Sequence, residues 1–225
     1  MRTRLWLKIA SGCAVTAAVL IACTISPPTR VNAQSAAPNG DSRIQIGLAA
    51  APVPLNLTGK NLALVGLGSY YVNVVGDCNG CHSAGPPTEF VRGANPYMNQ
   101  PMRVNPATYL GGGRDFGPLI PGSAHIISRN LTPDSTGLPE GGSSLADFIH
   151  IIRTGLDDDH LHPTCTGAPN ASCVPPPFDG DLLQIMPWPT LRAISDNDLR
   201  AIYEYLSAIP CVQGNYPGES PHRCG

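Results

Sequence analysis

The chain has 225 residues, with 14 basic and 16 acidic side chains and a formal charge of −2 at neutral pH, a length that suits one domain enlarged by loops. No basic stripe is left to neutralise phosphates, which excludes a nucleic-acid binder. Charged residues make up 13% and hydrophobic ones 42%, which excludes a disordered chain, whose composition combines high charge with low hydrophobicity.

Arg2, Arg4 and Lys8 precede an apolar run from Ile9 to Ala22. A membrane-spanning helix needs about 20 apolar residues, so this shorter run reads as the core of a secretory signal peptide; a retained anchor is the alternative. Two exit points stand side by side. Val31-Asn32-Ala33 has the small-residue pattern of a cleavage site before Gln34, giving a signal peptide over 1–33. Leu20-Ile21-Ala22-Cys23 resembles the lipobox of bacterial lipoproteins, which would remove residues 1–22 and acylate Cys23. On either reading the mature chain is periplasmic or otherwise exported, and it meets a membrane only if Cys23 carries lipid. Loss of Arg2, Arg4 and Lys8 moves the formal charge from −2 to −5.

Residues 34–57 show little periodicity and read as a flexible tether. Leu62, Val65, Gly68, Val72 and Val75 recur at helical spacing and predict a helix from Thr58, as N-cap, to about Val75. Cys78-Asn79-Gly80-Cys81-His82 follows at once. Residues 83–142 are loop-like and punctuated by Gly and Pro, an unusual length for a compact domain and normally functional when ordered. A helix is expected over Leu145–Thr154, capped by Ser143 or Ser144 and stopped by Gly155. The last helix begins at Ser195, shows an apolar face at Leu199, Ile202, Tyr203 and Leu206, and ends by Pro210. With 24 Gly and 24 Pro, the sum is an all-α domain over 58–210 with long loops, then a tail over 211–225.

The eight cysteines sort by position. Cys13 and Cys23 belong to the leader or its edge, and Cys78 and Cys81 to the motif. Cys165, Cys173, Cys211 and Cys224 form an even remainder, which in an oxidising compartment predicts disulfides. Local pairing, Cys165 with Cys173 and Cys211 with Cys224, is the simplest of the connectivities and would close the tail. Zinc binding is disfavoured, because their spacing gives no paired C-x-x-C knuckles.

C-x-x-C-H is the pattern of covalent haem attachment. Two thiols at fixed separation bond the two vinyl groups, and the adjacent histidine points at the iron. A thioredoxin-like site would follow a strand in a βαβ unit, and a zinc knuckle would need a second ligand pair; neither is present. The motif therefore predicts one haem c on Cys78 and Cys81, with His82 as an axial ligand.

Together with Gly68-x-x-Tyr71, Asn130-Leu131-Thr132-Pro133-Asp134, Thr136-Gly137, Phe148 through Gly155, Met186-Pro187-Trp188 and Asp198 through Leu206, the motif resembles class I cytochrome c, and within it the bacterial domains found beside periplasmic dehydrogenases. The resemblance covers about residues 58–210. It implies a class I cytochrome c-like helical fold, an electron carrier rather than an enzyme, and a periplasmic dehydrogenase or respiratory complex as redox partner. It also implies a methionine opposite His82. Met186 fits, since Pro187 pushes it toward extended backbone, with core filling as the alternative role; a His/Met pair raises the haem potential. Met98, Met102 and His125 are the competitors, though Ile126 and Ile127 suggest that His125 is a buried core histidine. Arg129 and Arg153 are candidates for haem propionates, which guanidinium groups suit, or for ordinary salt bridges. Asp157-Asp158-Asp159-His160-Leu161-His162 offers ligands for a divalent ion, with a solvated loop as the favoured reading. His150 and His222 read as surface residues. The rival functions are a peroxidase-like haem enzyme and a gas-binding haem sensor, both needing an open sixth position.

Overall fold

The computed structural model describes residues 41–159, 161–214 and 222–225. The leader, both exit points, Cys23 and the start of the 34–57 segment lie outside them. Among the described residues the chain is mostly helical with few strands. Its longer helices are α1 (Ser42–Ala50), α2 (Leu62–Ser69), α3 (Leu145–Thr154) and α4 (Asp196–Leu206). A two-stranded antiparallel sheet, β1 (Asp115–Pro118) with β2 (His125–Ile127), and several single helical turns complete it. No helix among the described residues is long and apolar enough to cross a membrane.

Helix α2 is capped by Asn61, whose side chain accepts from the amides of Ala63 and Leu64, and not by Thr58. Thr58 lies in a turn with Gly59, whose φ of +69° cannot continue into a helix. Past Ser69 the helix widens into a π turn, Tyr70–Val75. At Gly68 the backbone of α2 touches that of α4: a Cβ there would lie 1.9 Å from the Ala201 carbonyl oxygen. Glycine at that crossing is what lets the two helices pack.

Residues Ser42–Ala50, part of the sequence-read tether, instead form α1 against α2. A Cβ on Gly47 would lie 1.9 Å from the Gly66 oxygen, so small residues rather than an apolar stripe make the contact. Hydropathy periodicity is blind to such a helix. Further on, Val53 is buried and the Asn56 amide donates to the Ala208 oxygen at 2.8 Å.

A buried polar knot ties these helices to the loop after the Cys motif. The Tyr109 hydroxyl donates to Asn73 Oδ1 at 2.5 Å and lies 2.8 Å from the Tyr205 hydroxyl. Asn73 Nδ2 donates to Tyr205 and to Ser69 Oγ, each at 3.0 Å, and Ser69 Oγ donates to the Gly47 oxygen at 2.6 Å. Every member has a partner, as buried polar groups require. Burial drives the Tyr109 phenol far above its ordinary pKa, with Tyr205 adding to the shift, so it stays a neutral donor.

Helix α3 starts with a capping box between Ser144 and Asp147 and ends on Gly155 at φ +75°. Ser195 Oγ accepts from the Asp198 amide at 3.2 Å at the start of α4. Cys165 is bonded to Cys173 and Cys211 to Cys224.

Candidate functional site

A cavity opens between the π turn, the segment from β2 to Leu131, helices α3 and α4, and the loop 182–187. Its wall is chiefly apolar, with Val72, Phe148, Ile152, Leu199 and Leu206. Cys78, Cys81, His82 and Met186 all line it. Met98 and Met102 are 67% and 70% exposed and lie outside the lining. So does His125, which is exposed and bonded to Asp115 Oδ2 at 2.8 Å. The expectation of a buried His125 fails because strand alternation turns it outward and Ile126 inward.

The Cys78–Cys81 turn is fixed from several sides. Asp77 enters it in left-handed backbone, φ 43°, and its carboxylate lies over Gly80, where a Cβ would come 2.8 Å from Oδ2. Asn79, between the two cysteines, is buried, and its Oδ1 accepts from the Leu110 amide at 2.9 Å. Arg114 Nη1 donates to the Gly80 oxygen. Neither Cys78 nor Cys81 is in a disulfide; Cys78 is half-buried and Cys81 exposed. Burial pushes the Cys78 thiol up to about 12, with Asp77 and Cys81 adding to the shift, so an unattached Cys78 is an uncharged thiol.

His82 Nδ1 lies 2.8 Å from the Arg129 carbonyl oxygen. A carbonyl can only accept, so Nδ1 carries the proton and Nε2 keeps its lone pair for a metal. Burial lowers the His82 pKa, against a smaller upward pull from that hydrogen bond, and the Arg129 charge lowers it further. The ring is thereby kept neutral.

Elsewhere in the lining, the Met186 loop is docked onto the end of α3. The Leu183 amide donates to the Gly155 oxygen at 2.7 Å, and Trp188 Nε1 donates to the Leu183 oxygen at 3.2 Å. Trp188 fills the space over Gly155, where a Cβ would lie 2.2 Å from the indole. The turn itself is strained: Ile185, a β-branched residue, has φ 67°. Strain of this kind persists only where the surroundings impose it, and it clusters at functional positions.

The cavity's polar end is formed by Arg129, Asp157, Glu140 and His162. Arg129 Nη2 bonds Asp157, and its Nη1 lies 2.7 Å from Asp159 Oδ2. Asp157 and Asp159 thus serve as ion-pair partners, Asp158 is exposed, and His160 lies outside the described residues. Among the described residues no cluster of three or more His, Cys, Asp or Glu could hold a metal ion. Burial raises the Glu140 pKa, opposed by Arg129 and reinforced by Asp159. Arg153 is remote from this end; it donates to the Arg192 oxygen and to Asp196 Oδ1 at 2.5 Å, joining α3 to the start of α4. His150 and His222 are exposed.

No family model matches the chain. The gluconate 2-dehydrogenase cytochrome c subunit of Pantoea cypripedii is 30% identical over 167 residues. That relative is a cytochrome c. The match takes in 72% of this chain but 27% of the relative, so the chain spans about a quarter of its length.

The residues present fit a haem c. The donor set is two thiols, an imidazole with Nε2 available and a thioether, arranged around an apolar wall. His162 adds a buried Nδ1 with no hydrogen-bond partner, which suits a ligand bearing polar edges. Asn79, Gly112 and the Asp157–Arg129 pair escaped the sequence reading. Only Gly112 carried a local signal, as the centre of a Gly triplet that marks a close backbone approach.

Proposed function

We propose that the chain is an exported one-haem c-type cytochrome of class I type that carries electrons, with haem bound through Cys78 and Cys81 and the iron held by His82 and Met186. The observation that carries the reading is the presence of all four side chains in the wall of one apolar cavity. The cytochrome c relative supports it. Bound haem supplies a one-electron ferric/ferrous couple.

The chain's own residues do the rest. Val72, Phe148, Ile152 and Leu199 exclude water, which favours the less charged form of a buried centre. The Arg129 carbonyl holds the His82 tautomer, and the Gly155–Trp188 contact holds the Met186 loop. No side chain here needs to transfer a proton or bind a substrate. The partner we propose is an exported dehydrogenase, by analogy with the relative's name, with a respiratory complex as the alternative redox partner. Arg129 and Arg153 serve the ion pairs described above.

The test is Met186→Ala in the haem-loaded protein. Loss of the far-red charge-transfer band of Met-ligated ferric haem and a lower potential are expected. Unchanged spectra would remove Met186 from the iron. High-spin ferric spectra with rapid cyanide binding in the unaltered protein would favour an open-site haem enzyme or sensor.

A further inference from the structure

The Arg129 carbonyl that accepts from His82 is held more firmly than one hydrogen bond requires. Gly112 presses on it from one side: a Cβ there would lie 2.5 Å from Arg129 C and 2.7 Å from Arg129 O. The same Gly112 donates its amide to the His82 oxygen at 2.9 Å. The neighbouring backbone is pinned by Gly113 N to Ser128 O at 2.8 Å and Leu131 N to Leu110 O at 2.9 Å. From the other side the Arg129 guanidinium is gripped by Asp157 and Asp159, and the Arg129 and Asp157 side chains are only 14% and 11% exposed. Asp157 is itself anchored, its amide donating to the Asp181 oxygen at 2.8 Å.

We propose that the Arg129–Asp157 ion pair is a positioning device for His82, fixing the carbonyl that orients the ring and sets how strongly its Nε2 donates to iron. This rests on His82 being the axial ligand. Removing one member of a buried ion pair is costly and leaves the other charge uncompensated, so the carbonyl shifts with its side chain. A weaker Nδ1–H bond makes the imidazole a poorer donor. Asp157 and Arg129 are positioning residues; they need touch neither the iron nor the macrocycle.

The experiment is proton NMR and ferric electron paramagnetic resonance on the haem-loaded protein. In the unaltered chain the His82 ring protons must show the shifts of an iron-bound imidazole; if they do not, the proposed ligation fails and this inference with it. Given that signature, Asp157→Asn and the charge-conserving Arg129→Lys are expected to speed solvent exchange of the His82 Nδ1 proton about tenfold, since local opening of its acceptor segment exposes it. Both are also expected to change the g-anisotropy that reports ligand-plane orientation. Asp157→Glu should restore both. The exposed neighbour variant Asp158→Asn removes the same charge and should move neither. Asp159→Asn, at the exposed end of the pair, gives an intermediate acceleration and serves if Asp157→Asn does not fold. Unchanged exchange and g-anisotropy in Arg129→Lys and Asp159→Asn would overturn the inference while leaving His82 ligation standing.

Discussion

The His82 and Met186 sides of the cavity wall are held in different ways. His82 is held by directional bonds: its Nδ1 donates to a carbonyl that is itself pinned by backbone pairing and an ion pair. The Met186 loop is held by a Trp188 ring seated on Gly155 and by two hydrogen bonds close by in the same loop, from Leu183 to Gly155 and from Trp188 to Leu183, around a strained turn at Ile185. Directional bonds fail together and at high cost, whereas packing around a strained turn yields locally. On the proposed His82/Met186 ligation, the methionine side is the one expected to open first.

The largest effect should come from the histidine side. Gly112→Ala places a methyl group against the Arg129 backbone at φ +69°. With collision and left-handed strain combined, a loss of at least about 2–3 kcal/mol is expected in denaturant unfolding. A loss below about 0.5 kcal/mol would mean that the carbonyl is not clamped. On the methionine side, Ile185→Gly relieves the strained φ while adding chain entropy to the unfolded state, so net stability should change by less than about 1 kcal/mol. Cyanide association to the ferric protein should nonetheless rise severalfold in stopped flow, because the looser turn releases Met186 more often. Equal cyanide rates would erase the contrast between the two faces.

The smallest effect concerns α3, which supports the methionine loop. Hydrogen bonds from Ser144, chiefly its side chain and then its backbone, lower the Asp147 pKa below its ordinary 3.8. A depressed carboxylate contributes stability that is complete above 3.8 and lost as pH falls through the folded value. Wild type should therefore exceed Asp147→Asn slightly at neutral pH, and the gap should close in acid titrations below that range. A gap that persisted at the lowest pH would assign the cap to geometry rather than charge.

Much of the architecture was legible because it is written in local signals. Ser144 and Gly155 mark the ends of α3, and Ser195 the start of α4, by capping chemistry alone. The family resemblance, rather than a local signal, joined Met186 to the Cys motif, and both line one cavity. The four spare cysteines paired with their nearest neighbours. What stayed hidden depends on long-range approach. Helix α1 packs through Gly47 on Gly66, a contact with no hydropathy signature. Arg129 and Asp157 lie 28 positions apart, so nothing local tells an ion pair from a propionate contact or a metal ligand. His125 was misjudged because its Ile neighbours were read as a buried environment, when a strand sends adjacent side chains to opposite faces.

The Cys211–Cys224 staple has a bearing on the order of assembly. Asn130 Nδ2 donates to the Val212 oxygen at 2.9 Å, the Val212 amide donates to Thr132 Oγ1 at 3.0 Å, and Arg223 donates to the Thr132 oxygen. A segment that follows α4 in the chain is thus laced onto residues 130–132, one step along from the carbonyl that His82 engages. On the proposed haem ligation, closing the Cys211–Cys224 bond would complete the backbone frame beside His82, so thiol oxidation would be a maturation step for a site that contains neither cysteine.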